Sequence, residues 1–386
     1  MEKDKVVRIT RDHRLTIIAA VRSAALLCLL ALAVFSVLRF RDSFNSASAK
    51  QLIAYMKSAS YTDVTFEHYD TDSGLNTTFA PLGVGMAVVE SDMYSYVAGA
   101  GRVEFSHQLK YANPIIKAQD DWALIFDGGN TGYSVITGYA VTMEAQAGGA
   151  IITGAVSESG VYAIVSKTAG YRSAITLYSK KHKQLCSWET PSEYIMMASI
   201  SPDGESFATV SISSNGENMV YRLVGRNSVT GELIFDKALD CNMLYSLKHT
   251  KSGDVMLLAD NGLTVIDYNG EQLAYVGTSG QEMLSFSHHE QDNCLIISRG
   301  EKINTIKAMV YAQNGDIIYS EEISGTLRGC DCRGESVAVL LDSALVWYNG
   351  TGVQHIDGIG ARGVLSTNDG TPVLVFSDRI ERVYND

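Results

Sequence analysis

The densest group of side chains able to hold a metal or move a proton is His288-His289-Glu290 with Asp292. Imidazole and carboxylate are the usual donors of zinc and general acid–base sites. All four fall in the turn before an apolar run, where neighbouring strand residues point to opposite faces. A single ion therefore meets one histidine and not the other, and a solvated turn is the expectation. Asp70-Thr-Asp72-Ser-Gly74-Leu-Asn76 resembles the start of a calcium loop. Such a loop needs oxygen ligands at its first, third and fifth positions and a closing Glu at the twelfth. Gly74 stands fifth and no Glu closes the loop, so an Asx-rich turn is expected. The pairs Asp120-Asp121 and Glu321-Glu322 would diverge on strands.

Cys28 sits within an apolar segment, leaving Cys186, Cys241, Cys294, Cys330 and Cys332, an odd number for a disulfide framework. Cys330 and Cys332 share a strand face but lack partner ligands at zinc spacing, so small buried hydrophobes are expected. The sequence contains no Gly-x-Ser-x-Gly elbow, phosphate-binding loop, His-Glu-x-x-His or dinucleotide fingerprint. No metal or cofactor site is expected, and no catalytic residue is assigned. Of the 20 tyrosines, Tyr94, Tyr96, Tyr133, Tyr171, Tyr194 and Tyr245 lie at predicted strand ends, where a ring can anchor a partner or fill a sheet.

The elements that must carry these residues come in two kinds. Ser23 to Leu38 is 16 residues without a charge, and the apolar run extends back to Leu15 with Arg22 as its one interruption. A bilayer core takes about 20 apolar residues, and an arginine one turn inside can snorkel. The sequence predicts a cytoplasmic tail at 1–14, a transmembrane helix at 15–38 and a juxtamembrane linker at 39–61. The linker carries an amphipathic stretch with Leu52, Ile53 and Met56 on one side. Lys3, Lys5, Arg8, Arg11 and Arg14 outweigh Arg39 and Arg41, which sets the N-terminus inside and the body outside. Cleavage after Ala47-Ser48-Ala49 is the rival, but a long stretch with two arginines separates it from Leu38. Residues 1–41 hold eight Lys/Arg against three Asp/Glu, a net of +5, so the whole-chain charge of −12 leaves −17 on residues 42–386. That body lacks the basic stripe nucleic acid requires.

From residue 62 the texture changes to short apolar runs between Gly, Asn, Asp and Ser. A turn followed by an apolar strand recurs at Gly85, Asp121, Gly160, Gly204, Gly253, Asn293, Gly334 and Gly370, a mean spacing close to 41 residues. Later in the units, Asn269-Gly270, Asn314-Gly315 and Asn349-Gly350 signal hairpins whose residues tolerate positive φ. Each unit reads as an approaching outer strand, a very apolar second strand, a third strand and a polar-alternating last one. Four strands per 40–45 residues is the period of a propeller blade. Two stacked sheets would show turns as frequent but not this recurrence. The final unit, 361–386, holds three strands, and the segment 63–69 alternates as a fourth. The prediction is an all-β propeller over 62–386 of eight four-stranded blades, or seven if one unit is an insertion, closed by 63–69 on the C-terminal blade.

Ser201-Pro202-Asp203-Gly204 and Ser252-Gly253-Asp254 resemble the turns of WD40-like and quinoprotein-like propellers. Together with the apolar segment they resemble bacterial proteins that carry such a propeller outside the membrane on one N-terminal span. The Trp-Asp and Gly-His pairs of WD40 repeats are absent, and Trp122, Trp188 and Trp347 stand at unequal blade positions. No functional residue therefore carries over, and a quinone cofactor has no docking set. The expectation is a tethered, non-catalytic binding or scaffold module for an envelope protein or surface polymer, marked by an exposed apolar or aromatic rim. The alternative is a glycan hydrolase or lyase, marked by carboxylates or histidines converging in the central funnel with a perturbed pKa.

Overall fold

The computed structural model describes residues 66–384, apart from 72–76, 91, 217 and 279. The predicted span at 15–38 and linker at 39–61 lie outside the described residues. Among the described residues no helix is long and apolar enough to cross a membrane.

Among the described residues the regular structure is all β and forms eight four-stranded antiparallel sheets. Blades 1 to 7 cover residues 78–108, 114–146, 151–190, 194–239, 244–277, 283–324 and 327–357, each a simple meander. Blade 8 takes three strands from residues 363–382 and its fourth from His68–Asp70. That N-terminal strand pairs antiparallel with Arg379–Arg382, placing His68 opposite Glu381 and Asp70 opposite Arg379. Residues 63–65 of the expected closing segment are outside the described residues. The chain is an eight-bladed propeller, and the seven-blade alternative does not hold.

One strand assignment is corrected. The first strand of a unit does not approach from outside. First strands of neighbouring blades pack on one another, so they are innermost and line the channel, while the polar-alternating fourth strands form the circumference. Strand order then fixes which end is which. Links between blades and second-to-third-strand turns share one face, here the upper. First-to-second and third-to-fourth turns share the lower face.

The core is divided into eight apolar clusters, each shared between two adjacent blades. Leu124, Phe126, Val135, Val156 and Ile164 join blades 2 and 3, for example. Phe66, Met86, Val88, Val97, Val373 and Ile380 join blades 8 and 1. Second strands such as Gly85–Val89 and Val255–Ala259 are buried at every residue because neighbours cover both faces. This is why they read as unbroken apolar runs rather than alternating ones.

On the lower face a repeated Ser/Thr-x-x-Gly turn joins the first two strands of blades 3, 4, 5 and 8. Gly204 N–H donates to the Ser201 carbonyl at 2.9 Å and Ser201 N–H to that of Ser206 at 2.9 Å. Ser201 Oγ also donates to Asp203 Oδ1 at 2.6 Å. In the Asn-Gly turns only the glycine takes positive φ, +88° at Gly270 and +87° at Gly315. At Asn269-Gly270 and Asn314-Gly315 the register also slips by one residue, so these two are bulged turns rather than two-residue hairpins.

Candidate functional site

The channel wall is irregular at its upper end. In five consecutive blades, 3 to 7, the first strand carries one more residue than the strand it pairs with. The extra residues are Ile152, Met196, Tyr245, Leu284 and Arg328. Blades 8, 1 and 2 have no such slip. A bulge turns its unpaired side chain out of the sheet. Met196 and Leu284 are exposed in consequence, and Arg328 reaches Asp342 at 3.3 Å. Around this crescent the upper face also exposes Tyr171, Tyr194, Met219 and Met243. Arg172 lies over the Tyr194 ring, 5.4 Å from its centroid, and donates to its hydroxyl at 2.8 Å. Met219 sits in the long hairpin formed by Ser206–Asn215 and Asn218–Asn227.

Toward the lower face the channel wall becomes polar. Glu290, in the turn of blade 6, reaches across to two other blades. Its Oε2 accepts from Ser199 Oγ at 2.8 Å and from His249 N–H at 3.0 Å, and its Oε1 lies 3.3 Å from Lys248 Nζ. Ser199 has one proton and gives it to this carboxylate. The 2.7 Å contact of Ser199 Oγ with His249 Nδ1 therefore needs the proton on the imidazole. His249 is neutral; burial pulls its pKa down to about 4, against the raising influence of Glu290. Blades 6 to 8 repeat the device. Ser287 Oγ donates to Asp331 Oδ1 at 2.6 Å and accepts from Cys332 N–H at 3.2 Å. Asp331 also lies 2.6 Å from His289 Nε2 and accepts from Ser366 N–H at 2.6 Å. Burial pushes Asp331 up, but His289 and these hydrogen bonds outweigh it and leave the carboxyl below the ordinary range.

Between the crescent and this belt a recess of about 280 Å³ opens in the wall of blades 2 to 5. Its polar groups include Lys117, Lys248 and Glu290, and its apolar wall includes Val156, Met196 and Leu247. Lys117 is open to the channel yet ringed by protein. Burial, and then the charge of Lys248, lower its pKa, with Glu290 opposing. A larger groove of about 580 Å³ lies at the rim of blades 6 and 7, away from the channel, and presents Glu321, Glu322, Asp342 and Asp357.

The structure separates His288 from His289, as strand geometry requires, but they do not form a solvated turn. His288 is buried near Lys248, and neither ring nitrogen has a hydrogen-bond partner among the described residues. His289 turns to Asp331 in blade 7. Asp292 is half-buried and accepts from Gly334 N–H at 2.7 Å; partial burial pushes its pKa up. His289, Glu290 and Asp292 close inter-blade contacts rather than surround an ion, and no cluster of three possible metal ligands occurs among the described residues.

Asp70 lies in the closing strand, while 72–76 of the calcium-like segment are outside the described residues. Asp120 takes a positive φ of 49° in its turn. Glu322 accepts from Thr305 Oγ1 at 2.5 Å while Glu321 accepts from Tyr319, so that pair diverges. Cys294 and Cys332 are buried and the other described cysteines are half-buried; burial raises all five thiol pKa values. Tyr94, Tyr96 and Tyr133 fill inter-blade clusters, Tyr171 and Tyr194 are exposed, and Tyr245 lines the recess. The bulge residues and Lys117 carry no sequence signal of their own; only a 39- to 49-residue spacing of the bulges could have marked them.

An all-β ring of eight blades with a polar, recessed channel defines a β-propeller. The chain belongs to the family described as a family of unknown function (DUF5711), whose model matches residues 57–384. No curated protein matches it in sequence. Among solved structures it is similar to a eukaryotic initiation factor, at 9% identity over 82% of this chain and 85% of that one, with a TM-score of 0.52. It is also similar to BamB from Moraxella catarrhalis, at 12% identity over 82% and 95%, TM-score 0.48. A third likeness is to the hydrazine synthase of Kuenenia stuttgartiensis, at 12% identity over 82% and 98%, TM-score 0.44. At these identities the likeness concerns the fold alone.

Proposed function

We propose that the protein is a non-catalytic binding module, tethered by its N-terminal apolar segment and presenting the propeller outside the membrane to an envelope protein or surface polymer. The observation that carries this reading is the upper-face crescent. Five adjacent bulges, joined by Tyr171, Tyr194, Met219 and Met243, expose Met and Tyr side chains in one sector. Tyrosine and methionine are enriched at protein interfaces, and methionine adapts to irregular surfaces. The basic flank of residues 1–14 and the net −17 beyond residue 41 fit a body held on the far side of an anionic leaflet.

Glycan hydrolysis by a carboxylate pair is less well supported. The recess contains Glu290, and both its oxygens are already engaged by Ser199, His249 and Lys248. Site-specific photo-crosslinking of the full chain in its native membrane tests the proposal. A probe at 219 or 243 should give a discrete adduct that Met196→Ser with Leu284→Ser abolishes, while a probe at 335, on the lower face, should not. Equal yields from the two faces, or adducts indifferent to the double substitution, would overturn it.

A further inference from the structure

We propose that the channel recess is a receptor for a carboxylate carried on an apolar group. This concerns the channel wall rather than the exposed crescent, and it stands whether or not the upper face docks a partner.

The charges in the recess do not balance. Lys117 from blade 2 and Lys248 from blade 5 face the same space. Lys248 lies 3.3 Å from Glu290, whose other oxygen is taken by Ser199 and His249 N–H. Lys117 has no hydrogen bond or ion pair to any described residue, yet it is close enough to feel Lys248 as a like charge. The nearby His249 is neutral and adds no charge. One unpaired positive charge remains, in a chain whose net charge is −12. A lysine needed only for solubility would sit on the outer surface, where it would offset the acidic excess at no desolvation cost.

The remaining walls set the rest of the ligand. Met196 and Met197, with the nearly buried Val156 and Leu247, line the same recess as the ammonium groups and give it apolar surface. The volume of about 280 Å³ is just below the ~300–1,000 Å³ typical of ligand pockets. That is room for a ring or short chain with one acid group. A phosphate dianion would need more donors than one free lysine, whereas a carboxylate is neutralised by it. The acid could belong to a free small molecule or to the C-terminus of a peptide, and both present the same chemistry.

The test uses the full chain in nanodiscs with its lysines ¹³C-dimethylated, a change that keeps their charge and reports each amine by NMR. Benzoate should shift the Lys117 and Lys248 signals saturably, raise the Lys117 pKa and bind more weakly at higher salt. Benzamide, equal in shape but neutral, should do none of these. Lys117→Met should weaken benzoate by roughly tenfold or more, the worth of a charge-assisted hydrogen bond, while Lys117→Arg keeps binding. Because Lys117 has no partner to lose, Lys117→Met should unfold at no lower temperature than the parent. Acetyl-Ala-Ala-Leu with a free carboxylate, against its C-terminal amide, separates the sources: binding of the peptide acid alone assigns a chain end, binding of benzoate a small molecule. Equal binding of benzoate and benzamide, unchanged binding to a folded Lys117→Met, or tighter binding of inorganic phosphate would overturn the proposal, as would no response to either carboxylate.

Discussion

Protonating His288 would bury a charge with nothing to hold it. Burial, and then Lys248 and His289, hold its pKa well below the ordinary value, and His249 falls to about 4. Both folded-state values lie below the unfolded value near 6.5, so the sign is set. Above that pH both states are neutral and the histidines contribute no pH dependence. Below it the unfolded chain binds protons that the folded one refuses. Stability should therefore fall from about pH 6.5 toward 4, by roughly 1.4 kcal/mol per pH unit for each histidine. Asp292 and Asp120, whose carboxyls burial holds up, take protons in the folded state at the acid end and partly offset the fall. Urea unfolding of the parent and of His288→Leu isolates the effect. The variant should lose about half the slope and gain about 1–3 kcal/mol at neutral pH, since an unpartnered polar ring is replaced by an apolar group. A variant less stable than the parent would show that the ring is satisfied by water. The sequence showed that adjacent histidines diverge, because alternation is local. It did not show that His288 is buried and the turn half-covered, because that depends on Glu290 crossing to Ser199, 91 residues away.

Turns and second strands were the elements most legible in the sequence, since a Ser/Thr-x-x-Gly turn is set by its own hydroxyl and glycine. Two of these glycines have the same backbone but different surroundings. At Gly253, with φ +89°, an added methyl would meet nothing within 4 Å. At Gly204, with φ +77°, it would lie 2.6 Å from Val161 Cγ2 and 2.7 Å from Ser159 Oγ in the neighbouring blade. Gly253→Ala should cost about 1–2 kcal/mol for the left-handed backbone alone, and Gly204→Ala a further ~1–3 kcal/mol for overpacking. Equal losses in chemical denaturation would mean that the lower-face turns do not transmit contact between blades. The bulges were illegible for the opposite reason. Ile152, Met196, Tyr245, Leu284 and Arg328 share no residue type, because a bulge is defined by which partner is skipped on the next strand. The same non-local logic hid the innermost place of the first strand, which follows from neighbouring blades and not from its own residues.

For the whole molecule, the blade count followed from a period, and closure from a final unit one strand short. Phe66 is fully buried in the cluster that joins blade 8 to blade 1, just ahead of the closing strand. Phe66→Ala should lower stability by about 3–5 kcal/mol, as for other buried aromatics. A chain beginning at residue 72 would also lose His68–Asp70 and leave Arg379–Arg382 as an open sheet edge. Gel filtration should then show self-association. A truncated chain that stayed monomeric and melted like the parent would show the ring to be held without its N-terminal clasp. Finally, a wheel of eight equal spokes would offer a visitor eight indistinguishable ways to land. The run of five bulged blades beside three plain ones removes that degeneracy. The rim is notched like a key, so its eight rotational settings are no longer equivalent.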